Sequence, residues 1–132
     1  MFHKLARSHL FDFHANTSLE ATDPTHGHYG AIPGRYANRI GNGTFSVGGQ
    51  TYHTEQNDGP NTLHSGLKGW GHRVFNVTKV SSSSITFSII DDGVSTGFPG
   101  KVFADITYTL SARKWSIKME ASSPEKKTRK FP

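Results

Sequence analysis

The chain contains no cysteine. Disulfides and thiolate-ligated metal sites are therefore excluded, and composition does not assign a redox compartment. Long apolar runs are missing too. Nothing approaches the roughly 20 apolar residues of a membrane-spanning helix. The opening MFHKLARSHLFDFHANTS also lacks the apolar core of a signal peptide. Membrane partnership is not expected. The compartment stays unassigned: cytoplasmic by default, with extracellular left open. Sustained helical periodicity is absent as well, as are the P-loop, GxGxxG, HExxH and nucleophile-elbow signatures. Hydrophobic residues make up only 33% of the 132 positions, so a core is thin for this length. Nine Phe, four Tyr and two Trp partly compensate, because each buried aromatic removes a large area from water.

The net charge is +5, from 15 basic and 10 acidic residues. A basic chain suggests nucleic acid or an anionic surface. Here Lys126, Lys127, Arg129 and Lys130 crowd the C-terminal end and the rest are scattered. No basic helix or aromatic-interleaved basic strand forms a footprint, and no nucleic-acid partner is expected.

What is present is a succession of short strand patterns. Residues 1–28 show no period and read as an irregular lead-in peppered with histidines. Within it His26 and His28 are a possible metal pair, but without a third fixed ligand a polar loop is the simpler reading. From residue 44 the pattern turns to strands. Thr44 to Val47, Gly48-Gly49 and Gln50 to Thr54 predict a tight hairpin, since Gly-Gly supplies the positive φ of such a turn. Arg73 to Val80 is a strand candidate, and Ser81 to Ser84 a turn. Ile85, Phe87 and Ile89 then alternate with Thr86 and Ser88. After a breaker-rich loop, Val102, Ala104, Ile106, Tyr108 and Leu110 share one face of a strand. Trp115, Ile117, Met119 and Ala121 share one face of the next, opposite Lys114, Ser116, Lys118 and Glu120. Period-2 alternation predicts a sheet with one buried and one wet face. The class expected is all-β, an antiparallel β-sandwich. Residues 124–132 read as a polar tail, and a final strand ending there leaves an unpaired edge. Sequons occur at Asn16, Asn42 and Asn76, and matter only in a secretory pathway.

The candidate binding residues are Asn38, Arg39 and His64. Arg offers a planar fork of donors, and Asn both donates and accepts. A neutral imidazole also does both and titrates near neutral pH. The set suits vicinal hydroxyls or a ring oxygen. A structural Arg bonded to loop carbonyls and a solvated loop His are the plainer alternatives. Asn57, Asp58 and Asn61 read as turn formers. Trp70 suits either stacking on a sugar face or ordinary packing. Glu55, Asp91, Asp92 and Asp105 lack the pairing that marks a catalytic carboxylate dyad; Asp91-Asp92-Gly93 reads as a turn and Asp105 as lying on the wet face.

Several stretches carry a family resemblance: GAIPGRYANRIGNGTFSVGGQTYH, NDGPNTLHSGLKGW, ITFSIIDDG with GFPG, VFADITYTL and WSIKMEA. In this order, over residues 29–123, the chain resembles the N-terminal half of the aldose 1-epimerase (galactose mutarotase) family. The GRYANRI and GW spellings are most similar to fungal members. The resemblance implies a galactose mutarotase-like β-sandwich, here present in part, and an isomerase that interconverts the α and β anomers of hexoses such as galactose and glucose. In the implied route a base takes the C1 hydroxyl proton and an acid protonates the ring oxygen. The ring then opens, rotates and closes on its other face. No cofactor or metal is implied, and the partner is a small-molecule aldose. Asn38 and Arg39 match the family's sugar-binding pair and His64 its first binding-site histidine.

The departures are specific. The family's acid, a second His in an Asn-His-Ser-Tyr type motif, and its base, a Glu near the C-terminus, have no counterpart in this sequence. The likeness runs to Lys126–Thr128 and then gives way to RKFP. The family's opening strands are absent or replaced by residues 1–28. Ser65 stands where Gly is usual, Gly71-His72 where many relatives carry Asp, and Val94-Ser95-Thr96 where acidic residues are common. No catalytic residue is therefore assigned. The expectation is a chain inactive by itself, with a non-catalytic carbohydrate-binding module or a non-functional truncated product as the alternatives. Oligomeric state is left open.

Overall fold

The computed structural model describes residues 31–124. The lead-in, the His26 and His28 pair, the Asn16 sequon and almost all of the polar tail lie outside the described residues. Eight strands run through this span: β1 (Arg39–Ile40), β2 (Thr44–Val47), β3 (Gln50–His53), β4 (Thr62–Leu63), β5 (Asn76–Val80), β6 (Ser84–Asp91), β7 (Val102–Ser111) and β8 (Lys114–Ser122). Among the described residues the only helical turns are two three-residue 3-10 segments. This is the all-β class expected from the alternation.

The described residues divide into two compact units, one with Val74–Ile90 and Phe103–Ser122, the other with residues 31–73 and Asp91–Val102. The first carries a four-stranded sheet in the order β5-β6-β7-β8. β5 pairs antiparallel with β6, with an irregularity between Val77 and Lys79. β7 pairs antiparallel with β8 along its whole length, Ile106 opposite Met119 and Leu110 opposite Trp115. The serine run turns the chain, with the Ser81 N–H donating to the Ser84 carbonyl at 2.8 Å. Ser84 itself already opens β6. The predicted strand from Arg73 is shorter in the structure, because Arg73 is drawn into the carboxylate cluster described below.

The apolar side chains of this sheet share one face. Ile85, Phe87, Ile89, Ala104 and Ile106 are buried at its centre. Phe87 meets Tyr108 edge-on, and Tyr108 stacks on Trp115 at 6.2 Å. The expected burial fails toward β8. Trp115 is 65% and Met119 63% exposed, and Ile117 is exposed as well. Alternation assigned these residues to the right face, but nothing among the described residues covers that end of it. The opposite face is also drier than expected: Thr86 is buried and bonded to Thr107, and Ser88 donates to Asp105, so Asp105 is half-buried.

The second unit holds the two short antiparallel pairs. The β2–β3 hairpin forms as predicted, with Gly48 at φ 62° and Gly49 at φ 79°, values that only glycine adopts freely in succession. Phe45 stacks on Tyr52 and tilts against Phe98. β1 pairs with β4, Arg39 opposite Leu63 and Ile40 opposite Thr62. Ile40 and Thr62 face inward, and the Thr62 hydroxyl is 2.6 Å from that of Thr54.

Candidate functional site

The two-residue β1–β4 ladder places the three candidate side chains together. Asn38 directly precedes β1 and His64 directly follows β4. The ladder is extended past its last pair by the His64 N–H donating to the Asn38 carbonyl at 2.9 Å. The bond is answered by a second: the Asn38 N–H donates to His64 Nδ1 at 3.0 Å. A neutral imidazole that accepts at Nδ1 carries its proton on Nε2, so this contact selects the tautomer and fixes the ring plane against the main chain. Asn38 sits at φ 62° and His64 at φ 52°. Non-glycine residues in the left-handed region are uncommon, though Asn and His tolerate it better than most. Here the conformation ends both strands at once and turns the two side chains off the ladder.

Arg39 joins them through its guanidinium. Its Nη1 donates to Asn38 Oδ1 at 3.2 Å, and its Nε to Asp58 Oδ2 at 2.6 Å. Both partners of the Arg39–Asp58 pair are exposed, so it contributes about 0–1 kcal/mol to stability. Its consequence is orientation. With Nε held by Asp58 and Nη1 by Asn38, Nη2 and the Asn38 amide nitrogen have no partner among the described residues. The site thus offers amide and guanidinium N–H groups beside an imidazole whose ring is fixed through Nδ1 by the Asn38 N–H. Such a donor-rich set suits the oxygens of a neutral polyhydroxylated ligand.

Three supporting residues were not legible as such in the sequence. Asp58 was read as a turn former. It does pair with Asn61 across a two-way backbone bridge, but it also holds Arg39. Asn57 mimics a strand, accepting from the Leu63 N–H at 2.7 Å and donating to the Leu63 carbonyl. Glu55 accepts from the Leu67 N–H at 2.8 Å, tying down the loop that follows His64.

Ser65 has a physical account of its departure from glycine. It lies at φ 68°, the region where an L side chain is strained and glycine is not. It is also 1% exposed. Its hydroxyl accepts from the Tyr36 N–H at 2.8 Å and donates to the Tyr36 carbonyl at 3.1 Å, which joins the strand carrying Asn38 and Arg39 to the loop carrying His64. Ser65→Ala keeps the strain and loses both bonds, an expected cost of about 1–3 kcal/mol. Ser65→Gly loses the same bonds but relieves roughly 1–2 kcal/mol of left-handed strain, against about 0.4–1 kcal/mol of added unfolded-chain entropy. Urea midpoints are expected in the order Ser, Gly, Ala; an alanine variant as stable as the glycine one would contradict this account.

The same unit holds a buried carboxylate. Asp91 ends β6 and is wholly inaccessible. Its Oδ2 accepts from Arg35 Nε at 2.9 Å and from Trp70 Nε1 at 2.6 Å; its Oδ1 accepts from the Gly93 N–H at 2.9 Å and lies 3.2 Å from Arg73 Nη1. Trp70 is therefore a packing and hydrogen-bonding residue, pressed against Gly34 where any Cβ would collide with its ring. The turn expected at Asp91-Asp92-Gly93 exists, but Asp91 is its anchor. Among the described residues no three His, Asp or Glu side chains gather as metal ligands, and no helix is long and apolar enough to cross a membrane.

Comparison with known proteins gives the family and the fold. The sequence model of the aldose 1-epimerase family matches residues 11–131. A probable aldose 1-epimerase of the fungus Arthroderma benhamiae is 45% identical over 96 residues, covering 71% of this chain and 22% of that protein. The galactose mutarotase of Homo sapiens is 37% identical over 98 residues, covering 74% and 28%. Among solved structures, an aldose epimerase homologue from C. elegans superposes with a TM-score of 0.65 at 36% identity, over 68% of this chain and 28% of that one. A galactose 1-epimerase from Lactobacillus acidophilus gives the same TM-score at 25% identity, over 79% and 32%. The chain thus spans about a quarter of the length of the curated relatives it matches.

Proposed function

The chain belongs to the aldose 1-epimerase family, and from that premise we propose that Asn38, Arg39 and His64 hold an aldose through its ring and hydroxyl oxygens. The observation that carries this reading is the reciprocal bonding of Asn38 and His64. It locks a chosen imidazole tautomer beside a guanidinium whose own orientation is set by Asp58 and Asn38. Arg39 supplies the charged donor, His64 an imidazole whose ring plane is fixed through Nδ1, and Asn38 an amide that both gives and takes. The reaction class is interconversion of the α and β anomers of a hexose such as galactose or glucose, without a cofactor. Residues 29–123 form part of that family's sandwich in this reading.

Neither the second histidine nor the terminal glutamate of the family resemblance occurs among these 132 residues. General acid and base groups contribute roughly 10²–10⁴-fold each. The chain by itself is therefore proposed to bind sugar without accelerating its mutarotation. Two measurements test this. Titration with galactose, followed by amide NMR, is expected to move the Asn38 and His64 signals. Arg39→Ala should weaken that binding about tenfold or more, from loss of a charged hydrogen bond, while leaving the fold intact. Signals unmoved at high galactose would overturn the binding role. Polarimetry of fresh α-galactose should show only the background rate. A faster rate that falls on Arg39→Ala would overturn the proposed inactivity.

A further inference from the structure

We infer that Asp58 is a specificity-determining residue of this site: its carboxylate offsets the charge of Arg39 and shifts the site's preference toward uncharged aldoses and away from the corresponding uronates. The inference rests on the sugar-binding reading of Asn38, Arg39 and His64. An arginine does not lose its proton in a protein, so only a neighbouring anion can offset its charge. Asp58 Oδ2 accepts from Arg39 Nε at 2.6 Å, a charge-assisted bond. Nε is the stem nitrogen of the guanidinium, so this bond leaves the tip of the fork to Asn38 Oδ1 and to a ligand. Arg39 therefore keeps its donors while the pair acts as a dipole, whose field falls off faster than that of a bare cation.

Asp58 is placed for this role by its own loop. Its N–H and its carbonyl both pair with Asn61 around Gly59-Pro60, with Gly59 at φ 58°. The Asn57 side chain beside it makes two bonds to the Leu63 backbone, and Leu63 is the register partner of Arg39. Carboxylate and guanidinium are thus tied to the two sides of one short ladder. The Arg39 and Asp58 side chains are 52% and 37% exposed, so the pair adds little to stability and its effect on a bound anion is open to screening by salt. A hexose is small. Whichever of its oxygens Arg39 takes, a carboxylate at C6 stays within about one Debye length of the pair at 0.1 M salt, about 10 Å. At that range one unit charge changes the affinity for an anion about threefold to tenfold, and it changes the affinity for an uncharged sugar far less.

The test is amide NMR titration of the full 132-residue chain with galactose and with galacturonate, which carries a carboxylate in place of the C6 hydroxymethyl group. The same spectra report the folding of each variant. Asp58→Asn keeps an oxygen for Arg39 Nε and the backbone bridge to Asn61, and removes the charge alone. It should raise the galacturonate-to-galactose affinity ratio about threefold to tenfold. The rise should shrink as salt goes from about 0.01 M to about 0.15 M and the screening length falls from roughly 30 to 8 Å. Asp58→Ala removes the acceptor as well, and should shift the ratio in the same direction while also lowering the affinity for galactose. A merely structural role for Asp58 moves both affinities together. A ratio unchanged in both variants, or a rise indifferent to salt, would overturn this inference and leave the sugar site standing. Wild-type signals unmoved by galactose would overturn the sugar-binding reading, and this inference with it.

Discussion

Replacing Asp91 by Asn is expected to destabilise the chain by about 3–5 kcal/mol, the cost of breaking a buried ion pair from one side. Against a domain stability of about 5–15 kcal/mol, that is a large share of the total. The size follows from where the donors converge. Arg35 is 3% exposed and its remaining donors are committed to the carbonyls of Asp91, Pro99 and Gly100. Without a carboxylate at position 91 it becomes a buried cation whose ion-pair partner is gone. Asparagine does not help despite its matching shape. Each oxygen of Asp91 takes two donors or a donor and a second guanidinium, so an amide nitrogen in either place faces N–H groups. Chemical denaturation of the two proteins measures the difference, and a loss under about 1 kcal/mol would be that of an ordinary exposed pair.

The same carboxyl sets an acid limit. Burial pushes its pKa up, but hydrogen bonds from Arg35, Trp70 and the Gly93 N–H, together with the Arg35 charge, outweigh burial and hold it below its ordinary 3.8. A carboxyl lowered on folding stabilises the fold fully above its unfolded pKa, and that stabilisation is lost as pH falls through the folded value. The wild-type chain should therefore lose stability on acidification below about pH 4, while Asp91→Asn, with no proton to take there, should show a flatter profile over the same window.

How much of this was readable in advance depended on range. The β2–β3 hairpin was legible because everything it needs lies within ten positions: alternating Phe45 and Val47, then two glycines. Asn38, Arg39 and His64 were legible as a set because their residue types suit a hydroxylated ligand and their spacing resembles a family pattern. Their mutual bonds were not legible, since they depend on a ladder only two residues long and on two left-handed backbones. Asp58, Ser65 and Asp91 were underrated for the same reason. A turn signal such as Asp91-Asp92-Gly93 reports local backbone, whereas the burial of Asp91 comes from Arg35, fifty-six positions away. The Ser65 signal was present as a serine where glycine is usual, and positive φ explains it.

The β8 face shows where alternation stops being informative, and it supports the second large expected effect. Ile106 and Met119 are register partners on the same face of the same sheet, and a period-2 reading treats them alike. In the structure Ile106 is 2% exposed and Met119 63%. Ile106→Ala should cost about 2–5 kcal/mol, the lost transfer energy of the deleted atoms plus the cavity they leave between Ile85, Phe87 and their neighbours. Met119→Ala should cost no more than about 0.5 kcal/mol in dilute solution, because its side chain is already in water and leaves no cavity. Urea unfolding of both variants at low protein concentration separates the two cases. Equal costs would mean that Met119 is covered in solution. A Met119→Ala cost that is small when dilute and grows with protein concentration would instead place its burial in an encounter with a second copy, since only an interaction between chains gains stability by mass action.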